Sequence, residues 1–306
     1  MERFRYMAAS TSEWDRMVAE FIRITHDDDA WHGRFFDFVA GIFSDGNFRP
    51  WAARGGWDAD YEVLAFVEGE QILASVGRSR MNLIVRGRRV AGIQLGAVAT
   101  DRAHRGQGLS RRLIERILGE RQDSTQPILL FANPSVLDFY PRFGFQRLVQ
   151  RRVMAGLAAS PGGAPARPAD LGRLEERQRL AQLCRHAAAS GTLLSAHNYY
   201  FILLWHLSCR PLQGFWLDEQ AAFVAVERRG DRLVIHECLA PRRFALDRGV
   251  PRLIAAPIRE VEFGFDPAGW WETPAPASSE DGEALLFVQG DVPSGGDFRF
   301  PNLAQT

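Results

Sequence analysis

Two hydrophobic periods alternate along the chain, one of about 3.6 residues and one of two, so helices and strands are interleaved. After the turn-forming Ser10-Thr11-Ser12, the apolar residues Trp14, Met17, Val18, Phe21 and Ile22 keep helical spacing and predict a helix. Phe35, Phe36, Val39, Ile42 and Phe43 predict a second. The period then shortens. YEVLAFVEGEQILASVGRSRMNLIV (61–85) predicts two strands about a tight turn at Glu68-Gly69-Glu70, and VAGIQLGAVAT (90–100) predicts another strand. A helix with Leu109, Leu113 and Ile117 on one face follows. Next come strand PILLFAN (127–133), helix PSVLDFYPRFG (134–144) and strand FQRLVQRRVM (145–154). This interleaving predicts an α/β fold on a mixed sheet.

The stretch AGLAASPGGAPARPAD (155–170) loses all period and gains Ala, Gly and Pro, as a linker or long surface loop does. A domain boundary is expected there, dividing the chain into 1–155 and 165–306. A second such stretch, TPAPASSEDGE (273–283), precedes a short final strand, ALLFVQG. In the second half, LEERQRLAQLCRHAAA and NYYFILLWHLS predict helices, and AAFVAVERRGDRLVIHECLA predicts a hairpin. Comparing AFVEGEQILASV (65–76) with AVERRGDRLVIHECL (225–239) shows strand, charged turn and strand after two helices in both halves. A duplicated fold would produce this pattern.

Composition narrows the function classes. A hydrophobic share of 46% and a charged share of 24% are those of a globular protein, not of a disordered tail or a membrane bundle. The 37 basic and 37 acidic residues cancel, leaving no global field to draw in nucleic acid or an acidic membrane. The chain has no lysine, so none of its own side-chain amines can accept an acyl group. Cys184, Cys209 and Cys238 form no paired motif, and neither a disulfide framework nor a zinc site follows. The N-terminus lacks the apolar core of a signal peptide, and runs such as FILLW fall short of the roughly 20 residues that span a bilayer. A cytoplasmic location is expected. Neither Ser195 with His197 nor Cys184 with His186 makes a catalytic set.

The chemistry is most legible in LGAVATDRAHRGQGLSRRLIERIL (95–118), where a strand runs through Arg105-Gly106-Gln107-Gly108-Leu109-Ser110 into a helix. Glycines let successive N–H groups converge, and a helix N-terminus adds partial positive charge. A pyrophosphate can be held there without lysine. The third glycine of a dinucleotide fingerprint is missing and Gly-Lys-Ser/Thr is absent, which excludes a Rossmann oxidoreductase site and a Walker loop.

Arg105-x-x-Gly108-x-Ser110 resembles the acetyl-CoA signature of the GNAT N-acetyltransferase superfamily, Arg/Gln-x-x-Gly-x-Gly/Ala after a strand, with serine in the last small position. FANPSVLDFYPRFGF resembles that family's second motif, with Tyr140, Gly144 and Phe145 in the places of Tyr-x-x-x-Gly-Phe. The likeness covers about residues 60–150. Two units together with RAHRGQGLSRRLIERIL look most like the enhanced-intracellular-survival type, which has paired GNAT domains. The resemblance implies a tandem GNAT fold whose second copy, lacking the signature, is degenerate.

It also implies roles. Ala97 and Val98 would pair by backbone with the pantetheine arm, and an amide near Val98 would polarise the thioester. The amides of Arg105, Gly106, Gln107, Gly108, Leu109 and Ser110 would hold the pyrophosphate. Asn133 would lie beside the arm, although it suits a helix N-cap ahead of Pro134 equally well. Tyr140, as a phenol protonated at neutral pH, would return a proton to the departing thiolate. No base stands out. Asp60, Glu62, Glu68 and His104 are candidates that read more naturally as turn or edge residues, and a water chain or the Thr306 carboxylate are others.

His26-Asp27-Asp28-Asp29 with His32 suits a solvated helix start better than a metal site, and could also form an acidic lip beside the acceptor groove. Phe35, Phe36, Phe38, Phe48, Trp51 and Trp57 read as core, with a few left to line an acceptor pocket. The function expected is direct acetyl transfer in a ternary complex, from acetyl-CoA as cosubstrate to a primary amine, without a metal. The amine would be polyamine-like or aminoglycoside-like, or belong to a protein. The alternative is a non-catalytic acyl-CoA-binding module or sensor. A homo-oligomer is left open.

Overall fold

The structure is a computed structural model that describes residues 19–44, 46–157, 165–253, 258–271 and 277–306. The first half contributes β1 (Glu20–Ile24), α1 (Asp29–Ala40), α2 (Arg49–Ala53), β2 (Tyr61–Glu68), β3 (Gln71–Val85), β4 (Arg88–Thr100), α3 (Leu109–Gly119), β5 (Ile128–Phe131) and β6 (Gln146–Gly156). The second contributes β7 (Arg167–Pro168), α4 (Leu174–His186), β8 (Leu194–His197), α5 (Tyr200–Cys209), β9 (Gln213–Leu217), β10 (Ala222–Arg229), β11 (Arg232–Leu239), β12 (Glu260–Phe263) and β13 (Ala277–Gln289).

The strands form one mixed sheet in the order β1-β2-β3-β4-β5-β13-β6-β12-β11-β10-β9-β7, with β8 pairing β3 beside it. From either end inward the order matches: β1 with β7, β2 with β9, β3 with β10, β4 with β11, β5 with β12. Directions match as well, because β4–β5 and β11–β12 are the two parallel pairs. At the centre the halves exchange strands. β13 pairs β5 of the first half, β6 pairs β12 of the second, and β13 and β6 pair each other. The fold is a tandem of two GNAT-like halves sharing one sheet, and the exchange leaves no open edge where they meet.

Each face of the sheet carries its own core. α3 is amphipathic and sets Leu109, Leu113, Ile114 and Ile117 against Leu95, Ile128, Leu130 and the second half's Phe287. On the opposite face, one cluster joins α1, α2, α4 and α5 to both halves, through Phe35, Trp51, Leu180, Leu204 and Phe223. α5 is apolar on nearly every side because it is enclosed on nearly every side.

Several expectations change. Phe21 and Ile22 lie in β1, not in a helix, since Glu20–Ile24 pairs along the edge of β2; Trp14, Met17 and Val18 lie outside the described residues. Ile42 and Phe43 fall beyond α1. PSVLDFYPRFG forms two short 3-10 turns (Pro134–Val136 and Tyr140–Phe143), broken by its prolines and closed by Gly144 at φ 84°. The last strand starts at Ala277, within the stretch read as loop. β8, β9 and β12 were not legible. The linker's residues 158–164 lie outside the described residues.

Candidate active site

β4 and β5 pair only from Ile93↔Ile128 to Leu95↔Leu130. Beyond Leu95 they part, because β4 bulges. Its register against β3 slips between Ser75 and Gly77, so Ala97 and Val98 together face Val76, and Ala97 adopts φ 45°. The Ser75 hydroxyl donates to the Ala97 carbonyl at 2.9 Å and holds the bulge. The sequence betrayed none of this, since alanine is an unfavourable residue for positive φ.

A cleft of about 1280 Å³ opens at this parting. Of the ten sequence-derived site residues, Ala97, Val98, Arg105, Gly106, Gly108, Leu109, Ser110, Asn133 and Tyr140 line it, and Gln107 does not. Gly106 (φ 79°) and Gly108 (φ 75°) turn the chain into α3, and a Cβ at either would meet open space. Conformation, not crowding, requires glycine at both. The first-turn amides of α3 have no carbonyl of their own helix to bond, so they are available to an anion. Ser110 Oγ bonds Thr100 Oγ1 at 2.6 Å and ties the end of β4 to the helix. Arg105, Arg111 and Arg142 line this end. An open cradle of amides ringed by guanidiniums fits the diphosphate of coenzyme A.

Tyr140 is 5% exposed, packed among Phe139, Phe145 and Phe287, with burial pushing its hydroxyl up to about 12. Phe287 belongs to β13, and Gln289 on the same strand donates to the Phe143 carbonyl at 2.9 Å. The exchanged strand therefore positions the tyrosine. Asn133 caps its turn, accepting from Ser135 N and Oγ at 2.9 Å each.

Among the base candidates, His104 lines the cleft, with its Nδ1 held 2.9 Å from Asp101. Glu62 is buried in an ion cluster with Arg23, Arg78 and Arg80, while Asp60 and Glu68 are exposed away from the cleft. Asp28 accepts from Thr25 N and Oγ1, and His32 stacks on Trp57 at 4.3 Å. The 26–32 cluster is a helix start outside the cleft lining. No group of three or more His, Cys, Asp or Glu among the described residues could hold a metal.

The rest of the cleft comes from residues that sequence reasoning missed. The lining also holds the apolar Ile42, Phe43, Phe48 and Trp205 and the basic Arg152, Arg210, Arg229, His236 and Arg299. Residues 302–306 close the floor. Gln94, fully buried on β4, donates to the Ala304 carbonyl and accepts from Thr306 N, both at 2.8 Å. Thr306 packs where Gly96 leaves space, and His206, pushed down to about 3 by burial, bonds the Gln305 carbonyl at 2.8 Å. Local patterns carry no signal for such contacts, which span up to 212 residues.

Residues 32–148 match the family model described as an acetyltransferase (GNAT) domain. A GNAT acetyltransferase domain thus accounts for residues 32–148. A probable N-acyltransferase from Enterococcus faecalis V583 superposes with TM-score 0.60 at 14% identity, over 89% of this chain and 72% of that one. Eis1 from Mycobacterium abscessus gives 0.54 at 15% identity, over 88% and 72%. A putative acetyltransferase from Pyrococcus horikoshii gives 0.50 at 11%, over 99% and 100%. At these identities the likenesses establish the fold. No curated protein matches the chain. Acyl transfer is the chemistry of the family matched by residues 32–148, and among the described residues no helix is long and apolar enough to cross a membrane.

Proposed function

We propose that this chain transfers an acetyl group directly from acetyl-CoA to a primary amine within a ternary complex. One observation carries this reading: the parted end of β4, the left-handed glycines ahead of α3 and the Tyr140 side chain line a single cleft. In it, the amides of Arg105 to Ser110 hold the pyrophosphate. Ala97 and Val98 offer backbone groups to the pantetheine arm and the thioester carbonyl, and Asn133 lies alongside. The neutral amine attacks the carbonyl carbon, the carbon–sulfur bond breaks, Tyr140 gives its proton to the departing sulfur, and the proton shed by the new amide nitrogen passes through water to restore the phenol. A phenol held near 12 stays protonated at neutral pH, which suits an acid.

A cysteine-bound intermediate has no support. Cys184, Cys209 and Cys238 do not line the cleft, and burial raises all three thiols. Residues 1–155 form the cofactor-binding unit and 165–306 the unit that walls the acceptor side. Thiol release from acetyl-CoA across a panel of amines tests the function. Amine-dependent release is expected; tight CoA binding without it would mark a binding module.

A further inference from the structure

Resting on the acetyl-transfer function proposed above, we propose that the acceptor is a small amine that also carries a carboxylate, and that an arginine-rich wall of the cleft, Arg229 foremost, seats it. Arg229 on β10, Arg152 on β6, Arg299 ahead of the chain's last residues and Arg210 at the end of α5 all face the cleft. Glu262 and Asp281 are the acidic residues among its described lining.

Carboxylates pair with three of these guanidiniums, and one of the three, Glu227, lies outside the lining. Glu227 grips Arg229 through two hydrogen bonds, of 3.0 and 2.8 Å. Glu262 accepts from Arg152 at 2.9 Å and from Arg232 at 3.3 Å, and Asp281 holds Arg299. In two of the three pairs the arginine is the more exposed partner, while Arg299 and Asp281 are equally buried. The Arg229 side chain is 55% exposed against 30% for Glu227, and Arg152 39% against 13% for Glu262.

The two bonds to Glu227 use Nε and Nη2 of Arg229, and its Nη1 donors stay in the same fixed plane. A guanidinium held rigid in this way is built to receive a planar carboxylate. A polycation would meet like charge in a partly desolvated cleft. The acidic run at 26–29 does not relieve that, because it lies outside the lining. Ile42, Phe43, Phe48 and Trp205 in the same lining suit an apolar body between the amine and the surrounding water. The same ion pairs would also stabilise the sheet across its strands, so the test must separate recognition from folding.

Matched triplets do so: phenylalanine, phenylalaninamide and phenethylamine, with the corresponding leucine series, and spermidine as the polycation. Thiol release is expected to give a kcat/KM at least about tenfold higher for the acids, within the range of one hydrogen-bonded charge. Arg229→Gln should bring the acid-to-amide ratio toward one by raising KM for the acids. A folding defect lowers both members alike and cannot mimic this. Amides, plain amines or spermidine equal to or better than the acids would overturn the proposal. So would failure of the CoA-loaded protein to bind any of the acids at millimolar concentration by calorimetry, whatever the turnover. Absence of acetyl-CoA binding would instead remove the acetyl-transfer function itself.

Discussion

Tyr140 loses one oxygen and keeps its ring in Tyr140→Phe, so the packing against Phe139, Phe145 and Phe287 survives. An acid acting in the transition state contributes about 10²–10⁴-fold, or roughly 3–5 kcal/mol of barrier. Turnover should fall by that factor while acetyl-CoA affinity, measured by calorimetry, holds steady. A fall of less than about threefold, with chemistry rate-limiting, would reduce Tyr140 to a packing residue. Glu237 gives a second residue-scale test. It is fully buried, accepts from Tyr199 Oη at 2.5 Å and Cys238 N at 3.0 Å, and burial pushes its carboxyl up to about 7. An unfolded glutamate titrates near about 4.3. Between those values the native state keeps a proton that the unfolded chain loses, so stability falls as pH rises through that window and levels off above it. Glu237→Gln should flatten this dependence, gaining on wild type by roughly 3 kcal/mol at pH 8. Thermal melts at pH 5 and 8 would show it, and parallel melting curves for the two proteins would refute it.

At the scale of elements, the loop between β4 and α3 does its work by conformation. Gly108 is the left-handed residue that caps α3, and a side chain there would project into the open cradle. Gly108→Glu adds backbone strain and a negative charge where phosphates are proposed to lie. CoA affinity should fall at least about a hundredfold, roughly 3 kcal/mol. The folded protein should persist by circular dichroism, because the buried side of α3 is untouched. Unchanged affinity in a folded variant would remove the loop from the cofactor site. The degenerate copy makes the reverse case. After β11 the chain passes through 3-10 turns at Leu246–Arg248 and Val250–Arg252 where the first half has α3. One CoA per chain is expected, and a calorimetric stoichiometry of two would contradict it.

The whole molecule depends on the strand exchange. Without the second half, residues 1–157 would lose one of β5's two partners and both partners of β6, together with Phe287 and Gln289 around the tyrosine turn. Unpaired edges beside an exposed core promote aggregation. The isolated fragment should therefore elute as aggregate in size-exclusion chromatography. A monomeric, cooperatively melting fragment that binds CoA would show that the exchange is dispensable.

What the sequence determined by itself was local: the α/β class, the β2–β3 hairpin, the glycine-bearing entry to α3 and the tyrosine turn. Each rests on a period or a turn residue within a short window, where backbone preference and burial act together. The duplication was legible too, in the matching hairpins of the two halves, although one of the two helices read ahead of the first is strand β1 at Phe21 and Ile22. Tertiary structure decided the rest. Phe21 and Ile22 became a strand because β2 offers an edge, and 277–281 became one because β6 does. The arginine wall could not be read at all. Arg152, Arg210, Arg229 and Arg299 are ordinary surface-type residues until a shared sheet sets them opposite the parted end of β4. Pairing between distant strands is fixed by what each leaves unsatisfied, and that is a property of the assembled chain.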